Sequence, residues 1–119
     1  MRLAESERKV MEVLWERKTS FARDVATVLQ TRVGWGKTTT YTMLNRCMEK
    51  GYLKRVEPRF RCIPVLTKEE VAQQETEYLI CHSFDDKPER LVEKLIQEKK
   101  LSVQQMEQLC QLARDVEKA

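Results

Sequence analysis

The chain has 119 residues, of which 41% are hydrophobic and 34% are charged, with only 3 glycines and 3 prolines. This composition is typical of one small, mostly helical domain or of a compact domain with an appendage. No apolar run approaches the roughly 20 residues that span a bilayer, and the charged N-terminal segment contains no apolar signal-peptide region. We therefore expect no membrane insertion and a location in the cytoplasm.

Positive charge is concentrated in the first half of the chain. Residues 1–66 hold 14 Lys and Arg against 7 Asp and Glu, a net charge of +7, whereas residues 67–119 hold 8 against 12, a net charge of −4. A basic segment favours a polyanionic partner, because each phosphate contact releases condensed counterions. An acidic segment is better suited to contact with itself or with another protein. We expect two domains with different tasks, at 1–66 and 67–119.

Two short helices are predicted at the start of the first domain. The first, residues 4–17, has an inward apolar stripe, and Glu7 lies outside that stripe. Thr19 and Ser20 interrupt the pattern and can cap the second helix, at about residues 21–30.

The third predicted helix, residues 37–50, has two contrasting faces and is ended by Gly51 in position C′. One face is apolar and is expected in the core. The other carries Thr39, Thr42 and Arg46 at helical spacing, with no carboxylate before Glu49. A polar stripe on an isolated helix is usually a solvated face. This stripe is a candidate binding surface because it carries hydroxyls and a guanidinium and because its helix follows two shorter ones.

Two short strands follow, at about residues 52–57 and 60–65, joined by a tight turn at Pro58 and Arg59. A hairpin this short needs a helix to pack on. Its turn and flanks are basic and contain Lys54, Arg55, Arg59 and Arg61, with only Glu57 in opposition. Three helices and a basic hairpin predict a mostly α fold, a winged helix-turn-helix.

The second domain is predicted to be a helical dimerisation tail. Capping boxes at Thr67–Glu70 and Ser102–Gln105 start helices of about residues 67–81 and 102–118, and Pro88 opens a helix between them. Three short amphipathic helices cannot bury their apolar stripes alone, so we expect a second copy of the chain to cover them. The residues expected at this interface are Val71, Tyr78, Leu91, Leu95, Val103, Met106, Leu109, Cys110 and Ala113.

Two segments carry a family resemblance: VMEVLW at residues 10–15 and, more specifically, WGKTTTYTMLNR at residues 35–46 followed by EKGYL at residues 49–53. Glu7, Pro64, KEE at residues 68–70 and LS at residues 101–102 also fit. On all these residues the chain resembles the BlaI/MecI/CopY family of bacterial penicillinase and methicillin-resistance repressors, over nearly its whole length. The resemblance implies a homodimer that binds a palindromic operator in double-stranded DNA and blocks transcription.

The resemblance also implies which residues contact DNA: the third helix enters the major groove and the wing touches the backbone. By position, the implied contacts are Lys37, Thr38, Thr39, Thr42, Arg46, Arg59 and Arg61. Lys37 and Thr38 would lie near phosphate at the helix N-terminus. Arg46 is the best candidate for a base contact, since a guanidinium can bind guanine O6 and N7 together. Its alternative is an ion pair with Glu49 or Glu16, and Trp35 is expected to be a packing anchor.

The inducing signal is left open by the same resemblance. In the β-lactam-responsive branch, induction involves cleavage of an Asn-Phe bond and implies a membrane-bound sensor protease as a partner; the corresponding pair here is Lys94 and Leu95. The copper-responsive branch carries a CxC motif at the C-terminus, and this sequence has none.

Other functions are less well supported by the sequence. One histidine, no glycine-rich phosphate loop and no clustered carboxylates argue against an enzyme. The four cysteines, Cys47, Cys62, Cys81 and Cys110, form no CxxC pair, so we expect no metal or other cofactor and mostly buried, reduced thiols. The alternatives are a thiol- or metal-responsive sensor on the same scaffold, with Cys47 or Cys62 as the switch, and a protein–protein adaptor, which has no need for the basic first half.

Overall fold

The computed structural model describes residues 3–119. In chain order the elements are α1 (Glu5–Arg17), β1 (Ser20–Phe21), α2 (Ala22–Val33), α3 (Lys37–Glu49), β2 (Leu53–Val56), β3 (Arg61–Pro64), α4 (Lys68–Ser83), α5 (Pro88–Gln97) and α6 (Val103–Lys118). The chain divides into two compact units, one ending at Glu75 and the other running from Thr76 to Ala119. The start of α4 therefore belongs to the first unit. The division of tasks between residues 1–66 and 67–119 stays a prediction.

The first unit has its core where α1, α2 and α3 meet. Apolar side chains spaced by three and four residues on each helix are almost completely removed from solvent. The most deeply buried of them are Val10, Met11, Val13, Leu14, Val25, Leu29, Leu44 and Cys47. Full burial of one such aliphatic side chain contributes about 1.5–3 kcal/mol. This core fixes the orientation of α3, whose other face stays in solvent.

A three-stranded antiparallel sheet in the order β1-β3-β2 completes the first unit. The prediction that Thr19 and Ser20 cap α2 is wrong: Phe21 is the N-cap residue, and Ser20 pairs with Cys62 in the sheet. The Thr19 hydroxyl donates to the carbonyl of Cys62 at 3.1 Å. These two residues are used by the sheet because β3 lies beside them, a contact that local sequence does not reveal.

The ends of α2 and α3 follow the backbone chemistry of glycine. α2 continues to Val33, three residues beyond its predicted end, and Gly34 stops it at φ 73°, where its amide donates to the Gln30 carbonyl at 3.1 Å. Gly51 follows α3 at φ 79°, as predicted for position C′. The two strands of the hairpin are shorter than predicted because the turn between them takes up residues 57–60.

The second unit contains the rest of α4, with α5 and α6. The predicted capping box at Ser102 is present: the hydroxyl accepts from the Gln105 amide at 3.0 Å, and the Gln105 side chain accepts from the Ser102 amide at 2.8 Å. Thr67 and Glu70 form the same arrangement before α4. None of the side chains in residues 76–119 is buried. Within residues 3–119, no helix combines the length and apolar character that crossing a membrane requires.

Candidate nucleic-acid interface

The outer face of α3 is the polar stripe expected from the sequence. The five residues predicted there are all exposed, namely Lys37, Thr38, Thr39, Thr42 and Arg46. The opposite face is formed by Thr40, Leu44 and Cys47, each fully buried. The helix thus presents one polar, carboxylate-free surface up to Glu49, with its apolar side fixed in the core. Direct DNA contact by these residues stays a prediction.

The N-terminus of α3 is open to an anion. Gly36 is its N-cap, with no side-chain hydrogen bond to the first turn and no acidic residue in that turn. Unpaired amides and the positive end of the helix dipole favour a phosphate at such a place. Further along, the Thr42 hydroxyl donates to the Thr38 carbonyl at 2.9 Å. Because its one hydrogen is used in this bond, the Thr42 hydroxyl can only accept a hydrogen bond from a ligand.

Arg46 is free of the ion pairs that competed with its predicted role. Among the described residues, neither Glu49 nor Glu16 forms an ion pair with it. Glu16 instead binds Arg32 in a bidentate pair, with nitrogen–oxygen distances of 3.1 and 2.7 Å. The hydrogen bond from Arg32 lowers the pKa of Glu16. The Arg46 guanidinium is therefore available to an external partner.

Glu7 is a buried residue that the sequence analysis placed outside the apolar stripe, and on this point the prediction is wrong. Its carboxylate is fully buried, accepts from the Ala4 amide at 2.9 Å and pairs with Lys50 Nζ at 2.5 Å. Burial alone would raise the pKa of Glu7, but the hydrogen bonds from Lys50 and Ala4 and the positive charges of Lys50 and Arg46 lower it overall. Glu7 forms the carboxylate half of a capping box by accepting from the Ala4 amide, but Ala4 has no hydroxyl to form the other half. The usual sequence signature of a capping box is therefore missing here.

The wing, which is the hairpin of β2 and β3 with its turn at residues 57–60, is held against α3 by aromatic packing. The Phe60 ring lies edge-on to Tyr41, with centroids 5.8 Å apart and planes at 80°. The Arg55 guanidinium stacks 3.9 Å from the Phe60 ring centre and also pairs with Glu57. The role of Tyr41 and Phe60 at the site was not predicted from the sequence. Their packing fixes the basic hairpin relative to α3.

Of the two predicted wing contacts, Arg59 is exposed and adopts φ 71°, in the turn itself. Arg61 is also exposed, but its Nε donates to the Thr19 hydroxyl at 3.2 Å. Arg59 is thus the freer of the two cations. Trp35, the predicted packing anchor, is partly buried and packs against the core, with Lys9 Nζ 6.0 Å from its ring centre.

The cysteines fall into two groups. Cys47 and Cys62 are buried, and burial raises their pKa to about 12 and about 11. Cys81 and Cys110 are exposed, so the prediction of mostly buried thiols is wrong for these two. In the part of the chain that the structure describes, no three His, Cys, Asp or Glu side chains come together as a metal site.

The residues predicted at a dimer interface differ in exposure. Val71 is only 2% exposed and is buried within its own chain, so we leave it out of the proposed interface. Tyr78 is exposed and stacks on His82, with ring centres 3.9 Å apart. Of the others, Val103, Leu109, Cys110 and Ala113 are exposed, and Leu91, Leu95 and Met106 are partly exposed.

A three-helix core, a basic hairpin packed on the third helix and an outward polar face on that helix together define a winged-helix DNA-binding protein. The sequence matches the penicillinase repressor family over residues 3–115, and the chain belongs to that family of DNA-binding transcriptional repressors. The fold is similar to the solution structure of the DNA-binding domain of the repressor BlaI, with 25% sequence identity and a TM-score of 0.53 over 59% of this chain and 93% of that chain. None of the curated proteins matches the sequence.

These comparisons confirm the predicted family and the winged helix, and with them the prediction of a repressor rather than an enzyme.

Proposed function

We propose that this repressor acts as a homodimer on a palindromic operator, with α3 in the major groove and the wing on the DNA backbone. The observation that carries the proposal is the free, carboxylate-free outer face of α3, centred on Thr42 and Arg46. The net charge of +7 on residues 1–66 supports an anionic ligand. The proposed place of action is the cytoplasm, where the DNA of a bacterial cell lies.

Three parts of this surface would make different contacts with DNA. Arg46 would contact a base edge, most favourably the O6 and N7 of a guanine. Lys37 and Thr38 would hold a phosphate at the uncapped start of α3, and Arg59 would hold another from the wing. Arg61 would support the wing, since its Nε is engaged with Thr19.

The experiment compares Arg46→Ala with Arg59→Ala in the full-length protein. Duplexes selected from a random library by the wild type define the operator, and affinity is then measured by fluorescence anisotropy across salt concentrations. Arg46→Ala should cost about 1–3 kcal/mol and relax discrimination at one position per half-site. Arg59→Ala should weaken binding to all sequences alike. It should also reduce the salt slope, the slope of log binding constant against log salt concentration, by about 1.

Arg90→Ala is the matched control, since this exposed arginine is paired with Asp85 in the second unit. It should change neither specificity nor slope. Unchanged affinity and specificity in Arg46→Ala would contradict the assignment of the outer face of α3.

The proposed dimer rests on the exposed apolar surface of the second unit. Large hydrophobic residues are exposed there, namely Tyr78, Leu79, Val92, Ile96, Val103, Leu109, Leu112 and Val116. None of the side chains of residues 76–119 is buried in the single chain, so this unit lacks a core of its own. A second copy would supply the missing surface, and a palindromic operator requires two copies.

Leu109→Asp tests the dimer because it places a carboxylate on the apolar face of α6. Gln104→Asp is the control, since Gln104 lies on the opposite, polar side of the same helix. We expect Leu109→Asp to shift the dimer dissociation constant upward, measured by sedimentation equilibrium, and Gln104→Asp to leave it unchanged. Equal self-association of the two variants would remove α6 from the interface.

A membrane-bound sensor protease stays a predicted partner. The pair that corresponds to the cleaved bond, Lys94 and Leu95, lies inside α5, and Lys94 Nζ pairs with Glu98 at 2.7 Å. Proteases act on extended backbone, so cleavage there would require α5 to unwind locally. A thiol switch at Cys47 or Cys62 is disfavoured, because burial and a raised pKa keep both thiols protonated.

A further inference from the structure

The flank of α3 that carries Tyr41 also carries an exposed amide side chain, Asn45, which is not among the predicted DNA contacts. A shallow, open depression of about 440 Å³ lies there, and it is lined by Lys37, Thr38, Tyr41, Thr42 and Asn45. Asn45 is exposed, and its side-chain amide forms no hydrogen bond within residues 3–119. The amide is therefore unsatisfied by its own chain and available to a ligand.

Helical geometry places Asn45 on the same outward surface as Arg46. Successive residues of an α-helix are rotated by about 100°, so Asn45 and Arg46 lie on either side of Thr42. Leu44 and Cys47 are fully buried on the far side. Both outward side chains can therefore reach one groove, Asn45 from the side of Tyr41 and the wing.

We propose that Asn45 is a specificity-determining residue that reads an adenine in the major groove. Its planar amide offers one donor and one acceptor side by side, which matches N7 and the N6 amino group of adenine. This inference rests on the proposed function, which places α3 in the groove, and it adds an A·T requirement to the base read by Arg46.

The surroundings of Asn45 favour a base edge over a phosphate. The Tyr41 ring, held by Phe60 at 5.8 Å, forms an apolar wall beside the amide, and the C5 methyl of the paired thymine is the apolar group that an A·T pair presents in the major groove. Phosphate is better served by the cations of the same surface: Lys37, 5.8 Å from the Tyr41 ring centre, and Arg59 of the wing. A neutral amide adds little to counterion release.

The test is selection from a random duplex library with full-length wild type, Asn45→Ala, Asn45→Asp and, as the control, Gln30→Ala. Gln30 is an exposed amide on α2, outside the depression. For Asn45→Ala we expect discrimination at one A·T position per half-site to fall by about 5- to 150-fold, with the salt slope unchanged. Asn45→Asp should move the preference at that position toward cytosine, whose N4 amino group donates to a carboxylate. Gln30→Ala should select the wild-type sequence.

Each other result has a distinct meaning. If the wild type enriches no sequence, the proposed function fails and the inference fails with it. If the wild type enriches a palindrome and Asn45→Ala enriches the same one with equal discrimination, the inference alone is overturned. A uniform loss of affinity with a smaller salt slope would also overturn it, by identifying a phosphate contact. Thermal melting checks that the variants fold, which the exposed position of Asn45 favours.

Discussion

The ion pair between Glu7 and Lys50 joins the start of α1 to the C-cap of α3, and the effect of its disruption on stability can be calculated. Glu7→Gln keeps the shape of the side chain and an acceptor for the Ala4 amide but removes the charge opposite Lys50. A hydrogen bond to a charged group contributes about 1.5–3 kcal/mol. The Lys50 side chain is 42% exposed, so solvent screening reduces the expected loss to about 1–2 kcal/mol. For a domain of this size that lowers the melting temperature by about 4–15 °C.

The two partners are not equivalent, because only the carboxylate is fully buried. Lys50→Met leaves Glu7 buried without its cation, and it should destabilise the protein more than Glu7→Gln does. In the Lys50→Met background, Glu7→Gln removes that unpaired charge and should restore stability. The assay is urea unfolding of the wild type, the two single variants and the double variant, which together form a double-mutant cycle. All four are measured at one protein concentration, since self-association contributes to stability.

The pH dependence follows from the lowered pKa of Glu7. A carboxylate whose pKa is lower in the folded than in the unfolded state stabilises the fold above its ordinary value of 4.5. That stabilisation is lost as the pH falls through the lowered folded-state value. The difference in the free energy of unfolding between wild type and Glu7→Gln should therefore be largest near neutral pH and should disappear in acid. If Glu7→Gln destabilised both backgrounds equally, or if this difference did not depend on pH, the coupling of Glu7 to Lys50 would be refuted.

Three further predictions concern the wing, the thiols and the tail. Phe60→Leu removes the platform between Tyr41 and Arg55 and should weaken binding to all duplexes alike in anisotropy titrations, whereas a change in base preference would contradict a purely positioning role. A thiol-specific reagent near neutral pH should label exposed Cys81 quickly, Cys110 only as fast as the proposed dimer dissociates, and the two buried cysteines only on unfolding, as read by mass spectrometry of the digested protein. Ser102→Ala removes the cap of α6 and should cost about 1 kcal/mol in unfolding experiments, with Ser102→Gly milder.

Several features were predictable from local sequence because the forces behind them act over one or two turns. Helical periodicity predicted α1 and α3 and the polar face at Thr39, Thr42 and Arg46. The capping boxes at Thr67 and Ser102 were predictable for the same reason, since donor and acceptor lie three residues apart.

The remaining features were decided by contacts between residues far apart in the chain. Ser20 resembles a helix cap in its local sequence, but pairing with Cys62 makes it part of a strand. Glu7 belongs to a charged run on α1, and only the approach of Lys50, after α3, turns it into a buried ion pair. Phe60 acquires its role through Tyr41. The sequence by itself determined the helices and the polar, outward face of α3, because these depend on short-range periodicity. Tertiary packing decided what supports that face, because burial and pairing depend on which distant segments meet.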